Sequence, residues 1–353
     1  LKIHDGLLLN DIKKRMVSDD PIGLLALSTS SSCDNWLLIG FFLFFMIRFP
    51  HFLFYFLIFI LVGCSTVPVV TKSGAANTQP SASIEPPAPP QVAASKSVPK
   101  LGLALGGGAA RGFAHVGVIQ VLEEAGIAPS LVVGTSAGSM VAAFYASGKT
   151  GAQLQRLSET MDEASLTDWN VPLISRGMMR GDALARYVSQ QVAGKKIEDL
   201  KMPLGIVATE LRTGEGVLFR RGDIATAVRA SSAVPSVFEP VRIGGFDYVD
   251  GGLVAPVPVR YAKQMGADIV LAIDISSAPE DNPASDILKV LLQTFSIMGK
   301  SINQYELAQA DVVVRPSLSG VGSAEFAARR RSIEAGRAAM KLALPKLLQA
   351  LQR

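Results

Sequence analysis

The sequence predicts an α/β domain, with a mainly parallel central sheet covered by helices on both faces, beginning near Lys100. Three observations predict it. From Lys100 onward, short β-rich runs alternate with longer amphipathic stretches, and such alternation favours parallel pairing because each parallel connection needs a crossover. No internal repeat points to a solenoid or a propeller. About 250 residues remain once the N-terminal segments are set aside, an ordinary size for one domain.

In chain order, strands are expected at 101–105, 131–134, 204–208, 217–220, 241–243, 269–273 and 312–315. Helices are expected near 111–125, 137–147, 182–193, 224–232, 257–265, 285–309 and 325–352. The run Phe246–Gly252 reads as the end of a hairpin. These elements divide into a main domain over 100–320 and a C-terminal helix, 321–353, packed upon it.

Composition alone would suggest a membrane protein: 49% of the 353 residues are apolar and 18% are charged. The excess is local, since nine of the 16 phenylalanines lie between Phe41 and Phe59. Apolar runs at 37–47 and 52–62 are interrupted by Arg48, Pro50 and His51, and each is too short to span a bilayer core of about 30 Å at about 1.5 Å per residue. Read from Met46, the segment has a basic start, an apolar centre and then Leu61-Val62-Gly63-Cys64, the layout of a secretion signal. That tetrapeptide resembles the lipobox of bacterial lipoproteins, which implies a signal at 46–63 and a lipid-modified Cys64. The other reading is a membrane anchor that merely ends in cysteine. Residues 1–45 are then a candidate untranslated upstream extension. Ser65 after the cysteine resembles the pattern sent to the outer membrane, facing the periplasm. Residues 64–99, rich in Pro, Ala and Ser, read as a tether with a span of about 30 to 35 Å.

A formal net charge of +4 is too small to argue for nucleic acid as a partner. Cys33 and Cys64 both precede the domain, and His115 is the single histidine beyond the apolar segment. A disulfide framework and a histidine-based metal site are thereby excluded from it; no metal and no cofactor are expected.

Three motifs carry chemistry. The first predicted strand runs into Gly106-Gly107-Gly108-Ala109-Ala110-Arg111-Gly112 and then a helix. Glycines there turn backbone N–H groups toward an anion at a helix N-terminus. The loop lacks the dinucleotide fingerprint, because Arg111 occupies its sixth position, and it lacks the Gly-Lys-Ser/Thr of a P-loop; no nucleotide is expected. The second motif, Gly134-Thr135-Ser136-Ala137-Gly138, matches Gly-x-Ser-x-Gly between a strand and a helix. That context presents Ser136 as a nucleophile on a sharp turn and aims the Ala137 N–H at a developing oxyanion. The third motif, Asp250-Gly251-Gly252, places a carboxylate on a tight turn. Asp247 is the rival carboxylate and falls on the exposed side of its strand.

A serine nucleophile needs a base, and histidine is the usual one. His115 has two readings: structural, packing or bonding beneath the glycine loop, which is favoured because an imidazole at Ser136 would compete for space with the oxyanion donors, or catalytic. Arg111 likewise either contacts a lipid phosphate or, the favoured reading, braces the loop.

In this order the three motifs resemble the signature blocks of the patatin-like phospholipases, in particular bacterial members akin to neuropathy target esterase. Ala230-Ser-Ser-Ala-Val-Pro235-Ser-Val-Phe238-Glu-Pro240 is similar to a segment of the same family. The resemblance spans roughly residues 100–275. It implies a three-layer α/β/α patatin-like fold and a Ser-Asp dyad, Ser136 as nucleophile and Asp250 as general base. The oxyanion hole it implies is drawn from Gly106, Gly107, Gly108, Arg111, Gly112 and Ala137, with Gly134, Gly138, Gly251 and Gly252 as motif glycines. It also implies a fatty-acyl ester substrate, such as a phospholipid or lysophospholipid, cleaved through an acyl-enzyme.

Two alternatives stand beside this: an acyltransferase or thioesterase of the same fold, and a non-catalytic lipoprotein that binds lipid or a partner. The segment 160–181, with Leu166, Trp169, Val171, Leu173, Ile174, Met178 and Met179, is either a lid or acyl-entry loop or ordinary packing. Arg329, Arg330 and Arg331 either meet anionic headgroups or form a solvated helix face, the default reading.

Overall fold

A computed structural model describes residues 99–170, 175–278, 285–322 and 324–352. Residues 1–45, the signal at 46–63, Cys64 and the tether up to residue 98 lie outside the described residues, as do Val171, Leu173 and Ile174. In chain order the elements are β1 (Leu101–Leu105), α1 (Phe113–Glu124), β2 (Leu131–Thr135), α2 (Ala137–Ala146), α3 (Gly151–Thr160), β3 (Gly177–Met179), α4 (Asp182–Gln191), β4 (Leu204–Glu210) and β5 (Gly216–Phe219). They continue as α5 (Ile224–Ser231), β6 (Ser236–Phe238), β7 (Val241–Ile243), β8 (Phe246–Asp250), α6 (Val259–Gln264), β9 (Ile269–Ile273), α7 (Ile287–Ala308), β10 (Val312–Val314) and α8 (Arg329–Leu351).

The main sheet has the order β10-β9-β1-β2-β4-β8-β7, with β5 also on β4. From β10 to β4 every pairing is parallel. Side chains alternate between faces along each strand, and the core divides accordingly. Leu101, Leu103 and Leu105 of β1 join Val132, Leu271 and Ile273 in the cluster that includes α1, α2 and α8. Ala104, Val133, Val270 and Ala272 meet Tyr261 and Ala262 of α6 and Leu307 of α7 on the other side. Helices therefore cover both faces in three layers, as expected. Each fully buried leucine or isoleucine contributes about 1.5–3 kcal/mol.

The two edges of β4 are used unequally. On its first half β2 pairs in parallel, from Val132 with Leu204 to Thr135 with Val207. On its second half β8 pairs antiparallel, from Asp250 with Ala208 to Tyr248 with Glu210. β5 pairs along Ile206 to Thr209 and so overlaps both. A strand has only two edges, so β2 and β8 share one of them and meet there end to end.

Helices α1 and α8 approach backbone to backbone. A Cβ on Gly117 would collide with the carbonyl oxygen of Ile333, and one on Gly336 with that of Ala114. Arg329, at the start of α8, donates to the carbonyls of Ser158, Glu159 and Met161 at 2.8–3.0 Å. It thus satisfies acceptors at the end of α3 that the helix leaves open, and Arg331 donates to the Gly320 carbonyl.

Two helices begin later than their patterns predict. A 3₁₀ turn, Ala109–Gly112, separates the glycine loop from α1, and another, Phe326–Ala328, precedes α8. Helix α3 and the short pair β3–β6 are additions to the elements that the pattern predicts. Three-residue strands carry too little pattern to read. α3 is polar overall and its apolar face rests on few residues, Leu154 and Leu157, although its start carries a capping box, in which the Thr150 side chain accepts from the Gln153 N–H and Gln153 returns the bond.

Candidate active site

Ser136 occupies the turn between β2 and α2 with φ 53° and ψ −125°, a backbone state that non-glycine residues avoid unless their surroundings enforce it. Here the surroundings do. Its N–H donates to Ser231 Oγ at 2.8 Å, and that hydroxyl donates to the Val207 carbonyl at 2.6 Å. Its carbonyl accepts from the Ser139 N–H at 2.8 Å and from Ser139 Oγ at 2.6 Å. The motif glycines allow the close packing: a Cβ on Gly134 would collide with the Gly138 carbonyl, and one on Gly138 with the Leu105 carbonyl.

Asp250 ends β8 where that strand meets β2, and its side chain lines the same cavity as Ser136. Its Oδ1 accepts from the Gly252 N–H at 2.7 Å. The backbone is fixed on both sides, since its N–H donates to the Ala233 carbonyl at 2.9 Å and its own carbonyl accepts from Thr209 Oγ1 at 2.8 Å. Gly251 lies against β4, where a Cβ would collide with the Val207 carbonyl. Burial pushes the Asp250 carboxyl up to about 6, although the nearby Ser136 hydroxyl and the Gly252 N–H pull it down. Asp247 is different: hydrogen bonding to Arg176, at 2.7 Å, holds its pKa below the ordinary value, with Arg242 at 3.5 Å as a second partner.

The glycine loop lies against Ser136, and a Cβ on Gly107 would sit 3.0 Å from the Ser136 Cβ. Its donors, however, differ from the expectation. The Gly106 N–H is given to the Ile273 carbonyl at 3.1 Å, the Gly107 N–H to the Pro256 carbonyl at 2.9 Å and the Arg111 N–H to the Gly108 carbonyl at 3.1 Å. A donor already satisfied by a carbonyl has no hydrogen bond to spare for an oxyanion, so these three N–H groups serve the loop itself. Among the described residues no acceptor is found for the N–H of Gly108 or of Ala109. Ala137 opens α2, so helix geometry leaves its N–H without an intrahelical acceptor. Gly112 supplies proximity, its would-be Cβ lying 3.0 Å from that of Ala137. The Arg111 guanidinium is buried and donates to the carbonyls of Ile275 at 2.7 Å and Ser276 at 2.8 Å, tying the loop to the segment after β9.

His115 is completely buried, and its Nε2 lies 2.8 Å from the Gly106 carbonyl. A carbonyl can only accept, so Nε2 carries the proton. Burial pulls the imidazole pKa down to about 4, and the ring is neutral beneath the loop. The structural reading fits this geometry.

Residues 103–263 match the family described as patatin-like phospholipase. An uncharacterized NTE family protein of Mycobacterium tuberculosis is 35% identical over 191 residues, covering 54% of this chain and 52% of that protein. Residues 103–263 form a patatin-like phospholipase domain. A second uncharacterized NTE family protein of the same organism is 30% identical over 274 residues, covering 69% of this chain and 46% of its own length. Patatin-like phospholipase domain-containing protein 6 of Mus musculus is 33% identical over 188 residues, 51% of this chain and 14% of that protein. The chain thus spans about half the length of the two mycobacterial relatives. Among solved structures, VipD from Legionella pneumophila aligns with a TM-score of 0.46 at 17% identity, covering 72% of this chain and 67% of that one. The type III effector ExoU aligns at 0.41 and 17%, covering 73% and 54%.

In the patatin-like domain, Ser136 stands where two cavities join. One, of about 360 Å³, is walled by Phe113, Met140, Phe144, Leu157, Met161 and Phe326 among other apolar side chains. The other, of about 420 Å³, holds Asp250 together with Ser276, Ser277, Lys289 and Gln293. Ala109, Ser136, Val234 and Leu292 belong to both. From the 160–181 segment, Leu166 and Met179 line the apolar cavity, while Trp169 is exposed. Sequence reasoning assigns no role to Ser231, which bridges the Ser136 turn to β4. Its one signal is the Ala230–Pro240 stretch, similar to the family's but silent on which serine matters.

Proposed function

We propose that the domain is a serine esterase that hydrolyses fatty-acyl esters, with phospholipids or lysophospholipids as substrates. The observation that carries the proposal is that Ser136, on a strained strand–helix turn, shares one cavity with the buried Asp250 carboxylate and also opens onto an apolar cavity. In this mechanism Asp250 takes the Ser136 proton while Oγ bonds to the ester carbonyl carbon. The N–H groups of Gly108, Ala109 and Ala137 receive the oxyanion, and such a donor typically contributes about 10² to 10³ in rate. Collapse breaks the ester bond, Asp250 returns its proton to the leaving alcohol, and the acyl group remains on Ser136. Water then attacks with Asp250 again as base, releasing the fatty acid and restoring the serine. A carboxylate raised to about 6 is a stronger base than an ordinary one and is still ionised at neutral pH. The apolar cavity takes the acyl chain.

The test is hydrolysis of phospholipid and lysophospholipid by the full chain, with release of fatty acid measured directly. Loss of release in both Ser136→Ala and Asp250→Asn is the expected result. Unchanged release in either variant overturns the dyad. The lipid anchor at Cys64 and a place on the outer membrane facing the periplasm are further proposals, supported by the lipobox-like Leu61–Cys64. Fatty-acid labelling that survives Cys64→Ala would overturn the anchor.

A further inference from the structure

Helix α7 shows one face to the active cavity and the opposite face to solvent. Of its 22 residues only Asn303, Glu306 and Leu307, all in the last third, are buried. These anchor it. Asn303 accepts from the Val257 N–H at 3.2 Å and donates to Ser276 Oγ at 2.9 Å, while Glu306 pairs with Arg260 at 2.6 Å. Ahead of this anchor, Lys289, Leu292, Gln293, Phe295, Ser296 and Gly299 line the cavity that holds Asp250.

At about 100° per residue, those six positions share one side of the helix. Ile287, Val290, Thr294, Ile297, Met298, Ser301 and Tyr305 fall within an arc of roughly 100° on the other side. All seven are exposed, Ile287 by 91% and Tyr305 by 76%. The stripe carries no charge. The helix's one carboxylate is the buried Glu306, and its two lysines, Lys289 and Lys300, lie together outside the stripe, Lys289 paired with the N-cap carboxylate of Asp286 at 3.2 Å. Single exposed apolar residues are ordinary, but five large ones on one uncharged helix face mark a contact surface.

We infer that α7 is the surface by which the domain rests on a phospholipid bilayer, its outer stripe among the headgroups and its inner face lining the way to Ser136. The inference rests on the acyl-ester reading of the site and adds how the substrate is reached. An uncharged apolar stripe on one face of a helix whose opposite face lines a lipid-sized cavity is the composition that binds a lipid interface. Leu292 belongs to both cavities, so an acyl chain leaving the bilayer beside α7 passes from lipid to an apolar wall.

The test uses the full chain and its Ile287→Asp/Ile297→Asp variant, neither position lining a cavity. Two substrates are compared: vesicles of phosphatidylethanolamine and phosphatidylglycerol, and a soluble short-chain nitrophenyl ester. Vesicle hydrolysis is expected to fall at least tenfold while soluble-ester hydrolysis stays unchanged. Hydrogen exchange of the 287–302 amides is expected to slow when vesicles are added to the wild type. Equal rates of wild type and variant on vesicles overturn the inference. So does protection of these amides without vesicles that the variant removes, which would mean the stripe is covered by a second copy or by another part of the chain. A wild type that hydrolyses neither substrate instead removes the acyl-ester reading itself.

Discussion

Asp250 is brought beside Ser136 because β2, which ends just before Ser136, and β8, which ends at Asp250, run along the same edge of β4 from opposite directions. Thr135 pairs with Val207 and Asp250 with Ala208, adjacent residues of β4. The relative position of nucleophile and carboxylate is therefore set by backbone hydrogen bonds, with the loops left to present donors and substrate.

Removing either partner should stop the reaction without unfolding the domain. Ser136→Ala and Asp250→Asn are each expected to lower kcat by about 10³- to 10⁴-fold, and to do so together no more than singly. Steady-state kinetics on a soluble ester, with circular dichroism as the folding control, reads this directly.

The pH–rate profile should have an acidic limb near pH 6. Asp250 acts as a base only when ionised, and its carboxyl is pushed up to about 6 by burial. kcat/KM should rise with pH through that value and then level off. A limb near 4 would mean that the carboxylate is solvated in the free enzyme.

Asp250 should also cost stability where it is ionised. Its pKa in the fold, about 6, lies above the ordinary 3.8, so its contribution to folding is full below about pH 4 and is lost as pH rises through about 6. Asn can keep the bond from the Gly252 N–H through its Oδ1. Asp250→Asn is expected to be more stable than wild type at pH 8 by roughly 2 to 3 kcal/mol, with the difference vanishing near pH 4. Thermal unfolding at the two pH values measures it.

His115 has the opposite sign. Its folded pKa is pulled down from 6.5 to about 4 by burial, so its contribution is present above about pH 6.5 and is lost as pH falls toward 4. His115→Ala is expected to lose about 2–4 kcal/mol at pH 7 and less in acid. Its activity should fall through a loosened Gly106 loop, while the limb near pH 6 stays in place. Disappearance of that limb would make His115 the base.

Ser231 holds the strained turn. Ser231→Ala removes the acceptor of the Ser136 N–H and the donor to the Val207 carbonyl. It is expected to cost about 1–3 kcal/mol of stability and to lower kcat by about tenfold with KM unchanged. An equal rise in KM would place Ser231 in substrate binding instead.

Much of this arrangement is legible in the sequence. The alternation of strands and helices points to the three layers, and the Gly-x-Ser-x-Gly and Asp-Gly-Gly turns point to the residues that prove to be neighbours. The choice of N–H donors is not legible there. Gly106, Gly107 and Gly108 are identical in sequence, and only the carbonyls of Ile273 and Pro256, distant along the chain, decide which of the three is left over. Ala109 escapes notice because nothing in an alanine announces φ 48°. The stripe on α7 is hidden for a related reason, since a periodic apolar face normally reads as core, and exposure is a property of what the helix packs against.

Because α8 lies backbone to backbone on α1, that face of α1 stays uncovered until α8 has been synthesised. β1 can pair with β2 early, but its other edge waits for β9, more than 160 residues on. Contacts so distant in sequence make for slow folding, and no early fragment can close the core by itself. Such a chain remains threadable while it emerges from the ribosome, which suits the passage through a membrane pore that the signal proposed at 46–63 requires.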